Sequence, residues 1–175
     1  MHRTGTGKIA TMKVLGLAGY SGSGKTTLIE RLLPRLRGDG LVVAVVKQSH
    51  HDVTVDVPGK DSWRHRQAGA HEVLLSSPQR WMLVHELAGA AEPPLAALLA
   101  RLSPCDLCLV EGFRHGDLAK IEVWRAANNQ PWLHPHDPGI IAVAADAPPP
   151  GDLPHFGLDD VAATHQFIRN WMTRT

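Results

Sequence analysis

A chain of 175 residues with 43% hydrophobic residues has the length of one domain and enough apolar content for a core without disulfides or a structural metal. Its 18 basic and 17 acidic residues leave a net charge of +1 and form no Lys/Arg block, which argues against a long nucleic-acid footprint. No apolar run approaches the ~20 residues of a membrane span, and the N-terminus lacks the apolar segment of a signal peptide, so no membrane role and a cytoplasmic location are expected.

Residues 1–12 read as a disordered tail and 13–175 as a single P-loop nucleotide-binding domain without internal repeats. Within the tail, Gly5-Thr6-Gly7-Lys8 imitates a phosphate loop, but no strand precedes it and Ile9 stands where a hydroxyl residue belongs. The β-rich run Lys13 to Ala18 leads instead into Gly19-Tyr20-Ser21-Gly22-Ser23-Gly24-Lys25-Thr26, which fits the pattern G-x-x-x-x-G-K-[ST] at every required position. Glycines there let successive backbone N–H groups turn inward on phosphate oxygens, and the helix that follows adds its positive end. Gly19, Ser21, Gly22, Ser23, Gly24, Lys25, Thr26 and Thr27 are therefore the candidate nucleotide-binding residues, with Lys25 reaching the β and γ phosphates and the Thr26 hydroxyl reaching Mg²⁺.

The apolar spacing after the loop predicts a helix over Thr26 to Arg37, bent by Pro34 and stopped by Gly38-Asp39-Gly40. Leu41 to Val46 is nearly all apolar and reads as a strand covered on both faces. Lys47-Gln48-Ser49-His50-His51-Asp52 follows, at the sheet edge where ligands of open α/β folds bind. Asp52 is a candidate to hold Mg²⁺ through water and to act in catalysis. The two histidines suit phosphate or a second substrate, or simply a polar loop; adjacent side chains rarely converge on a transition metal without other ligands. A polar stretch to Gly59 precedes a short helix over Asp61 to Ala68, which Asp61 is placed to cap. Lys60, Asp61, Arg64 and Lys120 are weaker site candidates that read equally well as surface charge.

His71 to Ser76 and Arg80 to Leu87, joined by Ser77-Pro78-Gln79, read as a β-hairpin that interrupts the strand–helix alternation. No helix is obviously available to cover Val73-Leu74-Leu75 and Trp81-Met82-Leu83-Val84. That exposure predicts pairing with a second subunit, the alternative being cover by the last helix of the same chain. A helix is expected from Pro93 to Leu102, and a buried strand from Asp106 to Glu111. Cys105 and Cys108 spell C-x-x-C, but residues three apart on a strand point to opposite faces, so reduced thiols are expected rather than a shared metal. Glu111 ends an apolar strand where a nucleotidase needs a carboxylate for Mg²⁺ or water, which makes it the leading catalytic and metal candidate.

Lys120 to Arg125 alternates as a less buried strand, Ile140 to Ala145 forms a last strand, and Asp159 to Met172 a closing helix. The guanine-reading N-K-x-D signature is absent, since Asn128-Asn129 runs into Gln130-Pro131. Asp146, just past the last strand, is placed to accept hydrogen bonds from a guanine edge, although the residues alone do not separate GTP from ATP. The fold class is α/β, a P-loop NTPase-like, mostly parallel sheet flanked by helices with an additional β-hairpin.

Together these blocks resemble the MobB family: Gly19 to Thr27; Lys47 to Asp52 with Val55-Asp56-Val57-Pro58-Gly59-Lys60-Asp61-Ser62; Leu109-Val110-Glu111-Gly112-Phe113 with His115 and Ala119-Lys120-Ile121; and Ile141 to Ala144 with Asp146. The resemblance departs at the segment before Met12, at Gln48-Ser49 where a His-Thr pair is common, and near Glu92 to Leu95. It implies a homodimeric GTP-binding adaptor of molybdopterin guanine dinucleotide biosynthesis that hydrolyses GTP weakly with Mg²⁺. It also implies a partner, a MobA-type guanylyltransferase that attaches GMP to molybdopterin. A P-loop small-molecule kinase using ATP or GTP is the alternative, but the Arg-rich lid of such kinases is missing, Arg64 and Arg66 being an isolated pair. A metallochaperone GTPase is third, with no compact Cys/His run to support it.

Overall fold

Continuous burial from Leu15 onward marks Lys13–Ala18 (β1) as an inner strand, with Leu15 and Leu17 packed beneath the helix Lys25–Gly38 (α1). The structure, a computed structural model, describes residues 12–49, 53–113 and 117–174, so all of the tail expected over 1–12 except Met12 lies outside the described residues. The chain divides into two compact units, one running to Gln48 and resuming at Leu99, the other Ser49–Leu98.

In chain order β1 and α1 are followed by Val43–Lys47 (β2), Asp61–Gln67 (α2), Glu72–Ser76 (β3), Trp81–His85 (β4) and Leu95–Leu99 (α3). Leu107–Glu111 (β5), Lys120–Trp124 (β6), Ile140–Ala145 (β7), His155–Gly157 (β8) and Val161–Met172 (α4) complete the order. Six strands form a parallel sheet in the order β2-β5-β1-β6-β7-β8, and β3 and β4 make a separate antiparallel pair. The α/β class with its extra hairpin is as expected. α1 and α4 cover one face of the sheet, where Leu28, Leu32, Leu36, Val161 and Ile168 pack on Leu15, Leu109, Ile121 and Ala144.

Several local expectations are corrected. β2 is an edge strand rather than one covered on both faces, and Val45 is 40% exposed because only β5 flanks it. The helix does continue through Pro34 as expected, the proline lying on the exposed side of α1. Lys60, not Asp61, caps α2, and Asp61 sits within the first turn. The helix expected from Pro93 to Leu102 shrinks to α3. Ile140 to Ala145 is not the last strand, since β8 pairs beside it through three residues too few to show a period. α4 packs on α1 and β8, its N-cap Asp160 accepting from the Ala163 N–H at 2.9 Å.

β6 departs most. Its alternation of polar and apolar residues suggested a solvated face, but β6 lies between β1 and β7 and is buried on both sides. Lys120 and Glu122 are 2% and 0% exposed. Their charges are matched by the segment that follows: Lys120 Nζ lies 2.8 Å from Asp137, and Glu122 accepts from Leu133 N at 2.7 Å and His134 N at 3.0 Å. The His134 ring adds a contact to Glu122 at 2.8 Å through Nδ1. Buried charges survive only with such partners, and no pattern within β6 itself announces them.

In the second unit, α2 packs on β3 and Arg66 ties the chain together. Its guanidinium holds both oxygens of Asp56, at 2.7 and 3.2 Å, and pairs with Glu86. The hairpin pairs Leu74 with Leu83 and Ser76 with Trp81, and Leu74, Leu83 and Trp81 are exposed.

Candidate functional site

The parallel sheet brings the ends of β1, β5, β6 and β7 to one edge, where the loop, Glu111 and Asp146 collect, whereas Lys120 starts β6 at the opposite edge. The turn from β1 into α1 is held close to the neighbouring strand. A Cβ on Gly19, at φ 149°, would lie 2.3 Å from the Val123 carbonyl, so only glycine fits. Gly24 is the N-cap of α1 and no side chain caps the helix, which leaves the first-turn N–H groups directed out of the helix end. The first bond into the helix is Leu28 N to the Gly24 carbonyl, at 2.9 Å. Lys25 folds back over the loop, Nζ donating to the carbonyls of Gly19 at 2.9 Å and Tyr20 at 2.8 Å. Ser23 is buried, and its hydroxyl has no hydrogen-bond partner among the described residues. Ser21, Gly22, Thr26 and Thr27 line the exposed side.

Glu111 stands at the end of β5, alongside β1, and only 7% of its surface is exposed. The Thr26 hydroxyl donates to its carboxylate, 3.0 Å from Oε1 and 3.3 Å from Oε2. Lys47, at the end of β2, approaches Oε1 to 3.7 Å. A hydroxyl and a carboxylate in contact beside an uncapped helix end form the donor set that Mg²⁺ on a polyphosphate takes. Gly112, at φ 102°, makes the β5 end compact: a Cβ there would meet the Gln48 carbonyl at 2.9 Å, where the Gln48 N–H donates to Glu111 O at 2.8 Å.

On the other flank of the loop, Asp146 is exposed and its Oδ1 accepts from the Ala126 N–H at 2.8 Å, joining the turns after β6 and β7. A shallow cavity of about 440 Å³ opens beside it between Pro148, Phe156 and Leu158. The turn after β6 carries residues that sequence reasoning passed over. Asn128 Nδ2 donates to the Ser21 carbonyl at 3.1 Å, and Arg125 Nη2 lies 3.6 Å from where a Cβ on Gly24 would be. Searching for N-K-x-D discarded this segment, although its asparagine does pin the loop.

Asp52, with His50 and His51, lies outside the described residues, as does His115. Among the described residues no three His, Cys, Asp or Glu side chains are grouped to hold a metal ion. Lys60, Asp61 and Arg64 belong to the second unit, and Lys120 is committed to Asp137. Both thiols are free, and burial pushes Cys108 up to about 11 and raises Cys105 as well, away from reactive thiolates. No described helix is long and apolar enough to cross a membrane.

Residues 14–146 match the family described as molybdopterin guanine dinucleotide synthesis protein B. The chain belongs to the MobB family. It is 40% identical over 164 residues to the molybdopterin-guanine dinucleotide biosynthesis adapter protein of Escherichia coli K12, covering 92% of this chain and 94% of that one. The adapter protein of the same description from Haemophilus influenzae is 38% identical over 159 residues, covering 91% and 89%. Among solved structures, a crystal structure of molybdopterin-guanine biosynthesis protein B superposes with a TM-score of 0.73 at 32% identity, covering 91% of this chain and 98% of that one. The MobB homolog from Bacillus stearothermophilus gives 0.72 at 25% identity, covering 94% and 100%. The MobB match runs from β1 through Asp146, and so includes the loop, Glu111 and the turn after β6.

Proposed function

We propose that this MobB-family protein is a cytoplasmic, GTP-binding adaptor of molybdopterin guanine dinucleotide biosynthesis. It hydrolyses GTP slowly with Mg²⁺ and assists a MobA-type guanylyltransferase, which brings it near molybdopterin. The observation that carries the nucleotide part is the contact between Thr26 and Glu111 at the open end of α1. The adaptor role is carried over from the relatives described by that name.

In this reading the N–H groups of residues 22–27 and the Lys25 ammonium bind the β and γ phosphates. Lys25 reaches them by leaving the carbonyls of Gly19 and Tyr20, which its flexible stem allows. Thr26 and Glu111 would hold Mg²⁺, with Asp52 as a further carboxylate, and the bound ion would supply positive charge to the phosphates. Glu111, little exposed and fixed by Thr26 and Lys47, orients the attacking water. Asp146 retains one oxygen for a guanine edge, having spent the other on Ala126.

The hairpin supports a homodimer. Leu74 and Trp81 are 61% and 64% exposed on the face they share with Leu83, and burial against a second copy removes that surface from water. For the kinase alternative, the described residues offer no Arg lid: Arg66 is held by Asp56 and Glu86. Calorimetric titration with Mg·GTP and Mg·ATP, followed by a product assay with and without acceptors, tests the reading. Tighter GTP binding with slow release of phosphate to water is expected. Transfer to an acceptor, or preference for ATP, overturns it.

A further inference from the structure

We infer that Arg125 is a further phosphate-binding residue, gripping the nucleoside-proximal end of the polyphosphate from the side of the loop opposite Glu111. The inference rests on the nucleotide reading above and names a group that no motif in the chain marks.

β1 is flanked by β5 on one side and β6 on the other. Glu111, ending β5, and Thr26 are in contact and mark the side on which the reading above would hold Mg²⁺. Arg125 is the first residue after β6, so it lies on the far flank, next to the Asp146 turn to which the reading above assigns the guanine edge. Its guanidinium is over the loop itself, Nη2 standing 3.6 Å from the Cβ position of Gly24. The backbone beneath it is clamped from both directions: Asn128 donates to the Ser21 carbonyl at 3.1 Å, and Ala126 N donates to Asp146 at 2.8 Å. The Asn128 N–H closes the turn on the Arg125 carbonyl at 3.1 Å.

Arg125 is exposed and makes no ion pair among the described residues, unlike Arg31, Arg66 and Arg169, which each face a carboxylate. Arg125 and Lys25 thus bring two cations to one loop, Nη2 beside Gly24 and Nζ on the carbonyls of Gly19 and Tyr20. Two cations on one loop suit a polyanion better than either alone. The planar fork of Arg suits two phosphate oxygens at once, which a lysine at this position does not reproduce.

The test is calorimetry of Mg·GTP, Mg·GDP and Mg·ATP at fixed ionic strength on the wild type, Arg125→Ala and Arg125→Lys, with melting curves for each. Because Arg125 is exposed, unchanged melting is expected. Arg125→Ala should lose roughly 10-fold in affinity for GTP and for GDP alike, with the GTP-to-ATP ratio unchanged, and Arg125→Lys should fall between. Undiminished binding by Arg125→Ala overturns the inference. So does a loss confined to GTP, which places the group at the γ phosphate, or a shifted GTP-to-ATP ratio, which makes it a base contact. A wild type that binds none of the three overturns the nucleotide reading itself, and the inference with it.

Discussion

The two units of this chain use the same kinds of residue in opposite ways. Within the sheet, carboxylates and a lysine are buried and paired: Glu122 with His134, Lys120 with Asp137, and Glu111 with Thr26 and Lys47. In Ser49–Leu98 one face of the hairpin exposes Leu74, Trp81 and Leu83, and one guanidinium, Arg66, joins the strand ends to the preceding loop. The sheet unit is organised so that backbone and charge stay in one geometry, as a site for a small anionic ligand requires. The hairpin unit offers surface, which suits a macromolecular partner. Chemistry should therefore fail on substitution in the first unit, and assembly in the second.

The largest separation is expected at Lys25. Lys25→Ala should weaken Mg·GTP binding by about 3 kcal/mol, on the order of a hundredfold, because two charge-assisted phosphate contacts vanish while the loop backbone remains. Equal titration curves for variant and wild type would remove the site assignment. Glu111→Gln comes next. It keeps size and a hydrogen-bonding partner for Thr26, so nucleotide should still bind while phosphate release in a steady-state assay drops more than ~10-fold. Unchanged turnover would move the role to Asp52.

Leu74→Glu sharpens the other half of the comparison. On the exposed face of the hairpin it should leave nucleotide affinity intact and shift light-scattering mass from dimer toward monomer at micromolar concentration. A dimer of unchanged affinity would place the interface elsewhere. The smallest effect is a pH dependence confined to the second unit. The Arg66 guanidinium beside Asp56 holds its carboxyl below the usual carboxylate range. The stabilisation is thus present above the ordinary carboxylate pKa and is lost as pH falls through the lowered value. Amide protection factors within Ser49–Leu98, corrected for the intrinsic exchange rate, should fall on acidification, and Asp56→Asn should flatten that response with lower protection near neutrality.

What could be read from the chain alone follows from how local each signal is. The loop from Gly19 to Thr26 is one contiguous pattern with a strand before it and a helix after, so both its fold and its residues were legible. The place of Glu111 at the end of a buried strand was legible because the apolar run before it is contiguous. The contacts of Arg125 and Asn128 with the loop were not, because they depend on where β6 sits relative to β1, a pairing across about a hundred residues that leaves no trace in spacing. The exposure of β2 and the burial of β6 were misread for the same reason. Strand order decides which apolar run becomes an edge and which polar alternation is covered, and composition carries no information about order. β8 is too short to show any period.

The order of the sheet also bears on synthesis. β1 emerges from the ribosome first but pairs only with β5 and β6, so its neighbours do not exist until residues near 107 and 120 have been made. β2 offers no provisional partner, because its only contact in the sheet is β5. Until β5 is made the nascent chain carries the glycine-rich turn and an unpaired apolar strand, while Ser49–Leu98 is already made and able to close on itself. The hairpin unit can thus mature early, and the loop acquires its shape only when β6 threads in beside it, a late long-range step of the kind that sets slow folding.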